Sequence, residues 1–228
     1  MRIAVAGSSG LIGSQVCRLA EAAGHEVVRL SRTDGVDLLD ADAVARALAG
    51  VEAVVDVTRP NRMDLASARE FFTTVAHNLA VAGRRAGVRR TVVLSIVGVD
   101  RGQDYDWYVA TLVHERATRE QAPGARVLRT TQFHEFPGQV LQRALAGRVA
   151  SGSVEIMDVP TQPVDSAEVA RALVDLVREL VVHDGLELTV QPGPAPASMA
   201  GGSMLPGPDV PTAGADWRTW LRDRDGGS

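Results

Sequence analysis

Short unbroken runs of Val, Ile, Leu and Ala alternate along this chain with longer stretches whose apolar residues recur every three or four positions. Unbroken apolar runs suit strands buried on both faces of a parallel sheet, and the longer period suits helices packed on it. The pattern predicts strands at Ile3–Ala6, Glu26–Leu30, near Val36, and at Ala53–Val57, Thr91–Ser95, Arg126–Leu128 and Leu186–Val190. Helices are expected at Leu11–Ala23, Ala41–Leu48, Leu65–Ala86, Trp107–Gln121 and Ala167–Leu180, the last with Asp165 and Glu168 as a capping box. This order is that of successive βαβ units, which makes the chain an α/β protein with a parallel sheet. From Pro192 to Ala215 the composition shifts to Pro, Gly, Ala and Ser, and Trp217, Trp220 and Leu221 follow at helical spacing. The expected organisation is therefore one α/β domain over residues 1–191, followed by a loop and short terminal segment, 192–228.

Apolar residues make up 45% of the 228 and charged residues 23%, enough for a substantial core. The net charge is −4 with no basic block, so nucleic acid is not an expected partner. Nor is a membrane: no apolar stretch approaches the roughly 20 residues needed to span one. A single cysteine, Cys17, excludes an intrachain disulfide and, with an amino terminus that runs straight into a strand, suggests a cytoplasmic protein. All 24 basic residues are arginine, a bias that points to a GC-rich, bacterial coding sequence.

The candidate chemistry begins at Gly7-Ser8-Ser9-Gly10-Leu11-Ile12-Gly13, placed between the first strand and the first helix. One glycine permits the turn, one lets backbone approach a diphosphate, and the last lets helix lie close on strand. The helix then offers free N–H groups to the phosphates. A dinucleotide site in a Rossmann-type, doubly wound sheet follows. At the end of the second strand, Ser31-Arg32-Thr33 supplies a hydroxyl and a guanidinium where NAD-specific sites usually place an acid. That favours the 2′-phosphate of NADP(H). Asp37 lies where it can approach the adenine.

These segments resemble the atypical short-chain dehydrogenase/reductase superfamily, in its NmrA-like NAD(P)-binding branch. The resemblance is carried by the glycine loop and by Leu30-Ser31-Arg32, Val54-Val55-Asp56-Val57-Thr58, Val92 to Gly98, Arg129 to Phe133 and Gln162 to Ala170, in order. It implies that Thr58 and Arg59 border the adenine-ribose side and that Ser95, Ile96 and Val97 lie near the nicotinamide ribose. Thr130, Thr131, Gln132 and Phe133 would pass the nicotinamide. It also implies a Tyr-x-x-x-Lys proton-donating pair, and here the chain departs. Trp107 stands at the tyrosine position and Thr111 at the lysine position, with Tyr108 about 100° around the helix. Candidate substitutes are His134, which titrates near neutral pH, and the hydroxyls of Tyr108 and Ser95. No residues have metal-ligand spacing. The expected function is an NADPH-dependent oxidoreductase acting on a small organic molecule (a quinone, enone, iminium or carbonyl). The alternatives are a non-redox cyclase, isomerase or dehydratase, and a redox-sensing binding protein.

Overall fold

The computed structural model describes residues 1–135, 154–157 and 190–193. Five strands, β1 (Arg2–Ala6), β2 (Glu26–Leu30), β3 (Ala53–Asp56), β4 (Arg90–Ile96) and β5 (Ala125–Thr130), form one sheet in the order β2-β1-β3-β4-β5. All four neighbouring pairs are parallel. The connections are helices α1 (Leu11–Ala22), α2 (Ala41–Ala47), α3 (Leu65–Ala86) and α4 (Asp106–Gln121). This is the doubly wound, Rossmann-type architecture. Two further strands, β6 (Val154–Met157) and β7 (Val190–Gly193), pair with each other in parallel. The alternation of side chains along a strand explains the layering. Ile3, Val5 and Val55 face α1 in one core with Ile12, Val16 and Leu19. Ala4, Ala6 and Val54 face the other way, into a core with Val44, Val75 and Leu79 of α2 and α3.

The strand expected near Val36 does not form. Arg32–Asp34 makes a short 3-10 turn capped by Ser31, Gly35 follows at φ +80°, and Asp37 accepts a hydrogen bond from the Leu39 amide. Three residues from Gly35 to Asp37 leave no length for a ladder once the side chains on both sides serve turns. With order 2-1-3-4-5, chain direction across the sheet reverses between β1 and β3, and the ligand crevice of such sheets opens there, at the carboxyl ends. The predicted helix at Ala167–Leu180, its Asp165 cap, the segment 194–228 and most of the strand predicted at Leu186–Val190 lie outside the described residues.

Candidate functional site

Where β1 ends, Gly7 adopts φ +84°, and a Cβ there would sit 2.9 Å from the Val57 carbonyl oxygen. The loop therefore rests directly on the end of β3. At Gly13 a Cβ would lie 2.0 Å from the Gly7 carbonyl oxygen, so the amino end of α1 presses onto the same turn. Helices α2 and α3 are capped by Asp40 and Asp64, whose carboxylates accept the first amides. α1 begins at Gly10 with no side-chain cap and no acid in its first turn. Its leading amides and the positive end of its dipole are thus left for an anion. These features fit the diphosphate of a dinucleotide.

Beside them opens a cleft of about 560 Å³. Of the residues expected at the cofactor, Gly7, Ser9, Ser31, Arg32, Thr58 and Arg59 border it, as does Asp37. Arg62, Phe71 and Thr74 also line it and had no sequence signal. Arg32 donates to Asn61 Oδ1 at 2.9 Å, reaching from the end of β2 toward the loop after β3. Ser8 is placed differently: its hydroxyl is buried and donates to Asp34 Oδ2 at 2.7 Å, and Ser31 donates to the same oxygen at 2.5 Å. Hydrogen bonds from Ser31 and then Ser8 hold the Asp34 carboxyl below the usual range. Gly10, Gly13 and Leu11 lie at the start of α1, outside the cleft wall, and Ile12 is in the core.

The candidate catalytic residues are not gathered at this cleft. Tyr108 is 2% exposed, packed with Val99 and Leu112, and its hydroxyl has no hydrogen-bond partner among the described residues. Burial first, then Tyr105, pushes its pKa well above that of a free phenol. A phenol so placed holds its proton. Ser95 is buried and donates to Glu115 Oε2 at 2.8 Å. His134 is buried as well, Phe133 packs against the α1-side core, and Ile96, Thr131 and Gln132 are half-buried at the ends of β4 and β5. At the tyrosine position, Trp107 lies 5.9 Å below the Arg59 guanidinium and 5.7 Å from the Phe72 ring. Thr111 donates its hydroxyl to the Trp107 carbonyl, which leaves no cation at the lysine position. The only cysteine among the described residues, Cys17, is buried, and burial pushes its thiol up to about 11, so it offers no nucleophile.

Two buried polar groups escaped notice in the sequence. Asp56, at the end of β3, bonds His114 Nε2 at 2.8 Å, and the His114 ring stacks on Phe72 at 4.3 Å. Glu115 takes a two-pronged contact from Arg129, each arm at 2.9 Å, with Arg119 at 3.2 Å. The available signal was helical spacing: Glu115 falls four and seven residues after Thr111 and Tyr108, on the buried face, where a carboxylate demands partners. For both acids burial opposes ionisation most strongly. It is outweighed at Asp56 by His114 and Thr58, and at Glu115 by Arg129 and Ser95, so both titrate below the usual range. A depressed folded value stabilises the protein above the unfolded value, near pH ~4, and the gain is lost as pH falls through the folded one. The unfolding temperature is therefore expected to stay level in these terms from pH 7 to about 5 and to drop below about pH 4. Scanning calorimetry across that range checks this, and a level profile down to pH ~3 would contradict it.

Residues 3–99 match the NAD dependent epimerase/dehydratase family. No curated protein sequence matches the chain significantly. Among solved structures, a dTDP-4-dehydrorhamnose reductase from Clostridium acetobutylicum is similar at 14% identity and TM-score 0.63, covering 85% of this chain and 84% of its own. A triphenylmethane reductase from Citrobacter sp., complexed with NADP(H), is similar at 18% and 0.60, covering 85% and 79%. A UDP-N-acetylglucosamine 4-epimerase from Bacillus cereus stands at 17% and 0.61, covering 76% and 70%. At these identities the likeness shows a shared Rossmann-type α/β fold. Among the described residues no helix is long and apolar enough to cross a membrane, and no cluster suits a metal ion.

Proposed function

With residues 3–99 matching a family of NAD-dependent enzymes, we propose that this chain binds NADP(H) and uses it to reduce a small organic electrophile that needs little acid catalysis. The observation that carries the cofactor choice is the disposition of charge at the end of β2. Asp34 is tied to Ser8 and Ser31 and does not border the cleft, so it offers no acceptor pair to a ribose diol. Arg32 does border it, with Arg59 and Arg62 nearby. A guanidinium suits a phosphate.

The bound dinucleotide would supply a hydride. The chain's own groups hold the diphosphate at the amino end of α1 and the extra phosphate at Arg32. The Tyr-Lys pair is replaced by Trp107 and Thr111, and the nearby phenol is sealed in the core. Substrates whose reduced form tolerates slow or solvent-derived protonation, such as quinones, enones and iminium ions, suit such a site. The Citrobacter neighbour, a triphenylmethane reductase, is of a kind with this proposal. Residues 1–191 would form the nucleotide-binding unit and 192–228 the substrate side, in the cytoplasm of a bacterial cell.

Stopped-flow mixing with NADPH and a quinone panel tests the reaction. NADPH oxidation above background is expected, and binding without turnover would instead make the chain a redox-sensing binder. For the cofactor, Arg32→Ala is expected to weaken NADPH binding about tenfold or more while NADH binding changes less than about twofold, since a charged hydrogen bond contributes about 1.5–3 kcal/mol. Calorimetric titration reads both constants. Equal losses for the two nucleotides would remove the assignment of Arg32 to the 2′-phosphate.

A further inference from the structure

We propose that Asp56 and His114, neither of which borders the cleft, act as a positioning pair that fixes Thr58 as a hydrogen-bond acceptor toward a ribose hydroxyl of the bound dinucleotide. The inference rests on the dinucleotide reading above and adds to it a specific polarity.

The chain of contacts runs from the core to the cleft. Phe72 on α3 stacks against the His114 ring, 4.3 Å between centroids and 14° between planes, which fixes the plane of the imidazole. Its Nε2 donates to Asp56 Oδ2 at 2.8 Å. The other oxygen of Asp56 takes both donors of Thr58, the amide at 3.0 Å and the hydroxyl at 2.7 Å. A threonine hydroxyl has one proton and two lone pairs. With its proton given to a buried carboxylate, and its amide likewise engaged, Thr58 can only accept from anything in the cleft.

Thr58 lines that cleft, and its backbone lies beneath Gly7: a Cβ on that glycine would meet the Thr58 Cα at 3.2 Å. Near the turn that receives the diphosphate, a dinucleotide presents two kinds of polar group. Phosphate oxygens are acceptors and find no donor in Thr58. Ribose hydroxyls donate, and they match. Asp56 and His114 are separated by 58 residues, so this polarity is set by packing of α4 on the sheet and not by the local turn.

A binding cycle tests this without reference to turnover. Thr58→Val is expected to weaken NADPH binding about fivefold in calorimetric titration, while Thr58→Ser stays within about twofold of wild type. His114→Leu removes the donor that anchors Asp56 and is expected to weaken binding about threefold, whereas His114→Gln, which can still donate, recovers most of it. The decisive result is the double variant Thr58→Val/His114→Leu. If His114 acts through Thr58, the double variant binds like Thr58→Val alone. Multiplying losses would show that His114 acts by another route and overturn the proposal. So would a Thr58→Val protein that keeps its fold, as circular dichroism and thermal unfolding report, and binds as wild type. Wild-type protein that binds neither NADPH nor NADH overturns the dinucleotide reading and this inference together, whereas wild-type binding with an unaffected Thr58→Val overturns this inference alone.

Discussion

Replacing Gly13 with alanine is expected to reduce dinucleotide affinity by about two orders of magnitude and to lower the unfolding temperature by roughly 4–10 °C. The added Cβ would fall 2.0 Å from the Gly7 carbonyl oxygen and 2.9 Å from the Ser8 Cα. Both are backbone atoms, so no side chain can swing aside. Either α1 retreats from the loop by more than an ångström or the loop lifts from β3, where Gly7 already abuts Val57. In both cases the leading amides of α1 leave the position that a diphosphate requires, and two charge-assisted contacts worth about 1.5–3 kcal/mol each are weakened together. Gly83, inside α3, is the control. The nearest atom to a Cβ there is 3.5 Å away, so Gly83→Ala should bind normally and gain slightly in stability from helix propensity. Calorimetric titration with NADPH and thermal unfolding of both variants decide the matter. A Gly13→Ala protein with unchanged affinity would mean that the diphosphate does not sit at this helix.

The local parts of this architecture were legible because they rest on nearest-neighbour physics. The helix predicted at Leu65–Ala86 matches α3, whose ends are marked by the Asp64 cap and by Gly87 at φ +78°. β2 matches its apolar run, and the glycine loop lies between strand and helix as its residues require. The strand near Val36 failed because one apolar residue between a turn glycine and a turn aspartate is too little to carry a ladder. What the sequence hid is pairing across the fold. Ser8 reads as a phosphate contact, yet its hydroxyl turns to Asp34, 26 residues away. His114 reads as an ordinary helical histidine until α4 packs it against Asp56. Ser95 and Tyr108 carry the right chemistry for orienting a carbonyl, but Glu115 engages one and the core encloses the other. Side-chain partners of this kind are set by which face of α4 meets β3 and β5, and periodicity gives that face without giving its partners.

Glu115 is the clearest case, and its removal should have the largest effect on stability of any single change here. At 2% exposure it joins α4 to Ser95 on β4 and to both arms of Arg129 on β5, with Arg119 from its own helix at 3.2 Å. Truncation by Glu115→Ala leaves the Arg129 guanidinium without its main counter-charge and the Ser95 hydroxyl without its acceptor. Breaking one side of a buried ion pair typically costs about 3–5 kcal/mol, which for a domain of this size lowers the unfolding temperature by roughly 8–15 °C. Arg129 also contacts Asp100 at 3.0 Å, so its charge is not wholly unpaired and the lower end of that range is the better expectation. The companion variant Glu115→Leu/Arg129→Met removes both charges while keeping apolar bulk. It should be more stable than Glu115→Ala, because the penalty of a stranded charge disappears even though the attraction is also gone. Urea unfolding of the two proteins measures the difference. A Glu115→Ala cost below about 1 kcal/mol would mean that solvent reaches this carboxylate and that the network behaves as a surface ion pair, of the kind usually worth no more than that.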